Sequence, residues 1–424
     1  MTLAPDPSTA EREDAADSLA PLREEFYIPT RPDGSPCVYF CGHSLGLEPK
    51  GVRRILEEEL DRWARYAVEG HFGSDRPWLP YHEQIAPPLA SLVGASPLEV
   101  VAMNTLTVNL HLMLATFYRP SGERRKILIE SRAFSSDRYA VASQIRHRGF
   151  DPAEALIEIG PREGEDVIRT EDVLERIERE AASIATVLLP GVQFLSGQAF
   201  DMAAIAHYAR RAGATVGFDL AHAIGNIPLQ LHDWNADFAV WCSYKYLNAG
   251  PGAVGGCFVH ERHARAFDLP RFAGWWGHEK TTRFDMPHDF RPLPGAEGWQ
   301  VSNLPIFSAA PLLASLPLFK RAGFGALRAK SVRLTGYLDV LLRARLRDHV
   351  VILTPSDPEA RGCQLSLRLK RTPAEARAVF DALTRAGFVA DWREPDVIRV
   401  APVPLYNTFA EVYELVAALE RLLQ

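Results

Sequence analysis

Short apolar runs alternate with stretches of helical periodicity between about residues 50 and 259. Apolar residues recur at helical spacing in 49–70, 135–147 and 201–213. The runs that predict buried strands lie at 126–130, 184–189, 215–219, 237–242 and 253–259. Because strands separated by helices need crossover connections, this pattern predicts an α/β fold, with a mainly parallel sheet and helices on both faces.

Two segments depart from this alternation. Residues 260–310 are rich in Trp, Gly, Pro and His, which is typical of an irregular functional segment. From Phe319 the pattern predicts a long helix to about Leu346, then strands and helices of a smaller α+β domain. The predicted division is an N-terminal segment at 1–50, a large domain at 51–318 and a small C-terminal domain at 319–424. The polar first twenty residues are predicted to be flexible, and the rest of the N-terminal segment to pack on the small domain.

Composition narrows the possible partners. The formal net charge of −6 argues against a nucleic acid or an anionic membrane surface, and no apolar run is long enough to span a bilayer. The five cysteines form no CxxC pair, which indicates a reducing cytoplasm and predicts no metal site. These features leave a small molecule as the expected partner.

A lysine and an aspartate each follow an apolar strand. Lys245 lies beyond the strand that ends at Cys242, and Asp219 ends the preceding one. Ligand sites of open α/β sheets lie at such strand ends. A partly desolvated lysine suits Schiff-base chemistry, and a carboxylate can keep a pyridine nitrogen protonated, so the pair indicates a pyridoxal-phosphate (PLP) enzyme. Taken singly, Lys245 could be a loop lysine and Asp219 a helix N-cap.

Several motifs around these residues resemble those of one family. They are YFCGHSLGL (39–47), RPW (76–78), MNTLTVNLHLM (103–113), FDLAHAIGN (218–226), WCSYKYLNAGPG (241–252), GWWGHE (274–279) and IRVAPVPLYN (398–407). From about residue 38 to the C-terminus the chain resembles kynureninase, a PLP enzyme of fold type I, which is aspartate-aminotransferase-like. The resemblance therefore makes residues 51–318 the PLP-binding domain.

The resemblance implies a set of cofactor-binding residues. Lys245 is expected to hold the cofactor as a Schiff base, and Asp219 to pair with its ring nitrogen. Leu106 and Thr107 match positions that contact the phosphate, although Thr107 could instead be a helix N-cap. The other positions with an implied cofactor contact are Phe134, Ser135, Ser136, Asp137, His222, Tyr244, Trp275 and Asn303. For His222 an interior structural role is the alternative.

The resemblance also implies a substrate site shared by two subunits. Arg399 is expected to bind the substrate α-carboxylate, and Ser44, His71 and Asn303 to line its aromatic end. Trp275 and Asn303 match residues that reach the site from a second subunit, which implies a homodimer with shared sites. Trp275 could alternatively be an interface anchor without a cofactor contact.

Two residues depart from the family pattern. His43 stands where we expect Asn before Ser44, which changes the polarity there. Pro190 stands where relatives tend to carry a small hydroxyl residue near the cofactor. Since proline has neither an N–H nor a hydroxyl, a phosphate contact at Pro190 must be lost or replaced.

The implied reaction is hydrolytic Cβ–Cγ cleavage of L-kynurenine, of its 3-hydroxy form, or of both. The products are anthranilate or 3-hydroxyanthranilate and L-alanine, within the kynurenine pathway of tryptophan catabolism or NAD biosynthesis. Lys245 is expected to remove the Cα proton and Tyr244 to donate the last proton, unless Tyr244 only binds the phosphate. The rivals are a cysteine desulfurase, an aminotransferase of the same class and a non-catalytic binding protein. Cys363 is the candidate nucleophile of a desulfurase, but it opens an alternating strand pattern that would bury or fix it.

Overall fold

The computed structural model describes residues 3–424. Its α-helices are α1 (Pro7–Ala15), α2 (Gly51–Tyr66), α3 (Tyr81–Val93), α4 (Leu106–Phe117), α5 (Ser135–His147), α6 (Pro152–Ala155), α7 (Thr170–Arg179), α8 (Met202–Arg211), α9 (Ile306–Ala309), α10 (Leu312–Ala322), α11 (Phe324–Arg345), α12 (Pro373–Arg385) and α13 (Phe409–Leu423). No helix between residues 3 and 424 is both long and apolar enough to cross a lipid bilayer.

The strands form two principal sheets and a two-stranded pair. The strands are β1 (Val38–Tyr39), β2 (Val100–Ala102), β3 (Lys126–Glu130), β4 (Leu156–Ile159), β5 (Ile184–Pro190), β6 (Thr215–Asp219), β7 (Phe238–Trp241), β8 (Gly256–Val259), β9 (Val350–Ile352), β10 (Leu365–Leu369), β11 (Phe388–Val389), β12 (Asp391–Arg393) and β13 (Val397–Val400). The large sheet has the order β2-β8-β7-β6-β5-β3-β4, and the small sheet has the order β12-β13-β10-β9.

The large sheet is parallel from β7 to β4, which confirms the mainly parallel prediction. Only the β2/β8 and β8/β7 pairings are antiparallel. Both faces are covered, because alternate residues of β7 enter different cores. Ala239 and Trp241 pack in the core that includes α7 and α8, whereas Phe238 and Val240 pack with α4 and α5.

The small sheet is antiparallel and packs against α11, α12 and α13. Leu365 and Leu367 of β10 are fully buried in that core. The predicted single helix from Phe319 to about Leu346 is wrong: α10 ends at Ala322 and α11 begins at Phe324. The chain is redirected between them at Gly323, whose φ of 74° suits glycine.

Within the N-terminal segment, residues 7–15 form helix α1, and the flexibility of the first twenty residues stays a prediction. Helix α1 packs on α13 and buries Thr9 and Ala10, and the Asp14 carboxylate accepts a hydrogen bond of 2.7 Å from the Phe409 N–H. Composition alone did not predict the packing of α1, because α1 packs on α13, almost 400 residues further along the chain. Further along, β1 pairs with β11 of the small domain. The division at residues 50 and 318 remains a prediction.

A buried ion pair also holds the N-terminal segment. The Lys330 ammonium lies 2.7 Å from the Asp17 carboxylate, and both side chains are less than a tenth exposed. We expect Lys330→Met to lower the free energy of unfolding by about 3 kcal/mol, because it leaves the Asp17 charge buried without a partner. Asp17→Asn combined with Lys330→Met should recover most of that loss.

Urea unfolding followed by circular dichroism measures both changes. Lys320→Met, at an exposed lysine of α10, is the matched control. Equal free energies of unfolding for the Lys330→Met and Lys320→Met variants would show that the ion pair with Asp17 does not stabilise the fold.

Candidate active site

A cleft of about 550 Å³ opens at the carboxyl ends of β3, β5, β6 and β7. Most of the predicted cofactor-binding residues line it. The lining residues are Leu106, Thr107, Glu130, Phe134, Ser136, Asp137, Pro190, Val192, Phe194, Asp219, Ala221, His222, Tyr244 and Lys245. The parallel strands explain this convergence, since they all end at the same edge of the sheet.

Lys245 faces a buried histidine across the cleft. Its Nζ lies 3.1 Å from Nε2 of His222. Burial and the nearby Lys245 charge hold the pKa of His222 well below its ordinary value, so the imidazole is neutral. A neutral Nε2 can accept a hydrogen bond from the Lys245 side-chain nitrogen, and this contact aims that nitrogen into the cleft.

Tyr244 precedes Lys245 and also lines the cleft. Burial raises the pKa of Tyr244 above its ordinary value. In the protein alone the phenol therefore keeps its proton and is a weaker acid than a solvent-exposed tyrosine.

Asp219 and Asp137 form a buried carboxyl pair. One oxygen of Asp219 accepts a hydrogen bond of 2.6 Å from the Ala221 N–H. Burial and the neighbouring Asp219 raise the pKa of Asp137 well above its ordinary range, so Asp137 keeps its proton and shares it with Asp219. Asp137 Oδ1 has no hydrogen-bond partner within residues 3–424. Burial raises the pKa of Asp219 as well, but the hydrogen bonds from Asp137 and from the Ala221 N–H oppose this, so Asp219 is the more acidic member of the pair.

The opposite end of the cleft carries hydrogen-bond donors. Helix α4 begins at Leu106, and the first N–H groups of a helix lack intrahelical partners. The Thr107 and Ser136 hydroxyls lie 2.7 Å apart. Phe134 packs edge-on against Phe194 with ring centroids 5.4 Å apart. The hydrogen-bond donors of a free helix terminus, two hydroxyls and a lysine, together with a buried carboxylate as acceptor, fit pyridoxal phosphate.

Arg399 lies behind the wall of this cleft and is 1% exposed. Its Nε and Nη2 lie 2.8 and 2.7 Å from Oδ1 of Asp391, and Nη1 donates to the Phe194 carbonyl at 2.6 Å. Asp391 is the cross-strand neighbour of Arg399 in the small sheet. The anionic partner that this buried arginine requires is therefore present in the chain, which the sequence pattern did not reveal.

The remaining predicted residues do not line the cleft of one protomer. Ser135 and Asn303 are exposed, and Ser44 is half-buried. His71 packs edge-on against Trp78 with ring centroids 5.2 Å apart, and Trp275 is 43% exposed. The residues that the sequence did not single out are Glu130, Val192, Phe194 and Ala221. Of these, Glu130 could have been found, because it also ends a strand.

Glu130 makes the stability of the cofactor-free protein depend on pH. Burial raises its pKa from 4.5 to about 8. Between these values the carboxyl is protonated in the folded protein but ionised in the unfolded chain, so stability falls as pH rises from 4.5 to 8. We expect Glu130→Gln to stabilise the protein at pH 8, by on the order of 2 kcal/mol, and to have little effect near pH 4.5.

Urea unfolding of the cofactor-free protein at both pH values measures this effect. Glu158→Gln, on the neighbouring strand β4, removes an exposed carboxylate and serves as the control. A Glu130→Gln effect that is the same at both pH values would show that the carboxyl does not titrate in this range.

Comparisons with known proteins agree with this geometry. Residues 327–419 match the family model of the kynureninase C-terminal domain. The chain is 57% identical to the kynureninase of Myxococcus xanthus over 97% of its own length and 96% of that protein. It is 56% identical to the kynureninase of Koribacter versatilis, over 95% of the chain and 94% of that protein.

Solved structures share the fold at low identity. An apo cysteine desulfurase from Thermococcus onnurineus superposes with a TM-score of 0.74 at 19% identity, covering 100% of this chain and 99% of that one. The cysteine desulfurase CsdA from Escherichia coli gives 0.75 at 16% identity, with 96% and 98% covered. These likenesses establish the PLP fold type I architecture. The full-length identity establishes more: the chain belongs to the kynureninase family.

Proposed function

We propose that this protein is a PLP-dependent kynureninase that cleaves the Cβ–Cγ bond of L-kynurenine, 3-hydroxy-L-kynurenine or both by hydrolysis. The products are anthranilate or 3-hydroxyanthranilate and L-alanine. The observation that carries the proposal is the cleft that unites Lys245, Asp219 and the N-terminus of α4 in a chain of this family. The free thiols of the five cysteines support a cytoplasmic location.

The cleft residues have distinct roles toward the cofactor. Lys245 would hold it through the side-chain amine, and Asp219 would pair with the ring nitrogen. The Leu106 N–H and the Thr107 hydroxyl would bind the phosphate, with Phe134 against the ring. The remaining proposed contacts are Ser135, Ser136, Asp137, His222, Tyr244 and, from a second subunit, Trp275 and Asn303. When bound, pyridoxal phosphate supplies an electron sink that stabilises negative charge on the substrate.

The protein's own groups move the protons. The Lys245 amine accepts the Cα proton of the substrate, because its nitrogen is aimed into the cleft by His222. Tyr244, which lines the cleft beside Lys245, donates to Cβ of the three-carbon fragment after anthranilate departs. Arg399 orients the substrate α-carboxylate, while Ser44, His71 and Asn303 bind the aromatic end.

Cysteine desulfurases share this fold, so desulfurase activity is the alternative to consider. The burial and the pKa values of Cys363 and Cys41 argue against it. Cys363 is 1% exposed, and its N–H donates to Asn226 at 2.9 Å, which fixes it at the start of β10. Burial raises the pKa of Cys363 to about 12 and that of Cys41 to about 11. Both thiols therefore stay protonated at neutral pH, the opposite of what a sulfur nucleophile needs.

Exposed aromatic residues support a homodimer with shared sites. Phe72, Phe284 and Trp275 are 58%, 51% and 43% exposed. Phe284 contacts both others, with ring centroids 6.2 Å from Phe72 and 5.9 Å from Trp275. Contiguous exposed aromatics are typical of interfaces. We therefore infer that a second copy covers this patch and that Trp275 and Asn303 act in the site of the partner subunit.

We expect Lys245→Ala to lower kynurenine turnover by at least about a thousandfold, since the cofactor tether and the proton acceptor are lost together. Anthranilate release is measured with kynurenine and 3-hydroxykynurenine in parallel, which also determines substrate preference. Lys370→Ala, at an exposed lysine, is the control. Full activity of the Lys245 variant, or sulfide release from L-cysteine without anthranilate from kynurenine, would refute the proposal.

Mixing two inactive variants tests the shared site. Lys245→Ala and Asn303→Ala should each lose activity alone. A heterodimer of the two has one site with both defects and one intact site, so random 1:1 reassociation should restore about a quarter of the wild-type activity. Activity that equals the mean of the two parent variants would instead place both residues in the same subunit's site.

A further inference from the structure

His43 is a buried polar residue with unused hydrogen-bonding capacity. Its exposed fraction is 0%, and neither ring nitrogen has a hydrogen-bond partner within residues 3–424. An unpaired buried donor or acceptor costs free energy, so such groups are normally satisfied. An imidazole with both nitrogens free can therefore take up a hydrogen bond with a ligand, and its position decides which one.

The loop that carries His43 is fixed at both ends. On one side, the Gly46 N–H donates to the Tyr244 carbonyl at 2.8 Å, next to Lys245. On the other side, the Ala401 N–H donates to the Phe40 carbonyl at 2.9 Å, at the end of the strand that carries Arg399. The loop thus holds His43 between the turn of Lys245 and the strand of Arg399. Its ring centroid lies 6.4 Å from that of His222.

Three cationic side chains and one carboxylate lie around His43. Burial, Arg399, Lys245 and Arg393 hold the pKa of His43 well below its ordinary value. The imidazole is therefore neutral, with one N–H donor and one acceptor nitrogen. A nitrogen of His43, Sγ of Cys41 and an oxygen of Asp391 lie within 4.8 Å of one another. The two arginines that already bind Asp391 disfavour a metal ion there and favour an anion nearby.

Arg399 alone has few free N–H donors for the substrate α-carboxylate. Of its five N–H groups, three are used by Asp391 and the Phe194 carbonyl. At most two remain for a substrate, and a carboxylate offers about four acceptor positions. A neighbouring neutral donor would therefore complete the recognition.

We propose that His43 is a substrate-binding residue that donates a hydrogen bond to the α-carboxylate of the amino-acid substrate, beside Arg399. This role rests on the proposed function, which brings an α-amino acid between Lys245 and Arg399. It assigns a binding task to the residue at which this chain departs from the Asn expected of the family.

The test measures binding of L-alanine, the proposed product, and of L-alaninamide, which lacks the carboxylate. Dissociation constants are determined by isothermal titration calorimetry on the holoenzyme forms of wild type, His43→Ala and His43→Asn. We expect His43→Ala to weaken L-alanine binding by about 10- to 100-fold and to leave L-alaninamide binding unchanged, because a hydrogen bond to a charged group is lost. His43→Asn keeps a side-chain donor and should lose less.

His82→Asn is the matched control, since His82 is a buried histidine whose Nε2 lies 3.3 Å from Glu297 and not beside Arg399. It should bind both ligands as wild type does. Unchanged L-alanine affinity in both His43 variants, or equal weakening of both ligands, would overturn the role of His43 and leave the proposed function intact. Failure of the wild type to bind L-alanine and to release anthranilate would instead refute the proposed function itself.

Discussion

Five parallel strands end at one edge of the large sheet. Several buried carboxyl groups lie at this edge, and the single lysine of the cleft cannot neutralise all of them. Glu130 and Asp219 end two of these strands, and Asp137 lies in the first turn of α5 beside them. Because several acids are buried close together, some of them keep their protons. The raised pKa values of Glu130 and Asp137 reflect this. Asp219, supported by Asp137 and the Ala221 N–H, is left to carry the charge that a cationic ring nitrogen would meet.

The small sheet carries Arg399 of the proposed substrate site, and a similar constraint applies to this buried charge. Arg399 is a buried cation and needs an anion, which Asp391 supplies from the adjacent strand. The remaining N–H groups of Arg399 stay available because Asp391 occupies only part of the guanidinium. Arg399 and Asp391 thus compensate each other within the protein, and a substrate in the proposed position would meet an arginine whose charge is already paired.

Sequence patterns captured what depends on local order and on strand ends. The strand runs and the helix at 135–147 could be predicted, as could the placing of Lys245 and Asp219 at one edge. The antiparallel β8 could not, because its direction depends on how the Gly-rich segment after Lys245 turns back. Nor could the break at Gly323, since apolar spacing continues on both sides of it.

Contacts between distant segments were the other limit. The pairing of Asp391 with Arg399 needs the register of two strands, and the burial of α1 needs a partner almost 400 residues away. Trp275 and Asn303 lie outside the cleft of a single protomer. The motifs suggest a role for them in a cofactor site, but that role requires a second subunit.

The contact between α1 and α13 has a consequence for how the molecule folds. Helix α1 packs on a helix that lies almost 400 residues further along the chain. Thr9 and Ala10 are therefore fully covered only after the strands of the large sheet have been synthesised and can begin to collapse. A chain that stops before α13 would leave the packing face of α1 exposed to solvent.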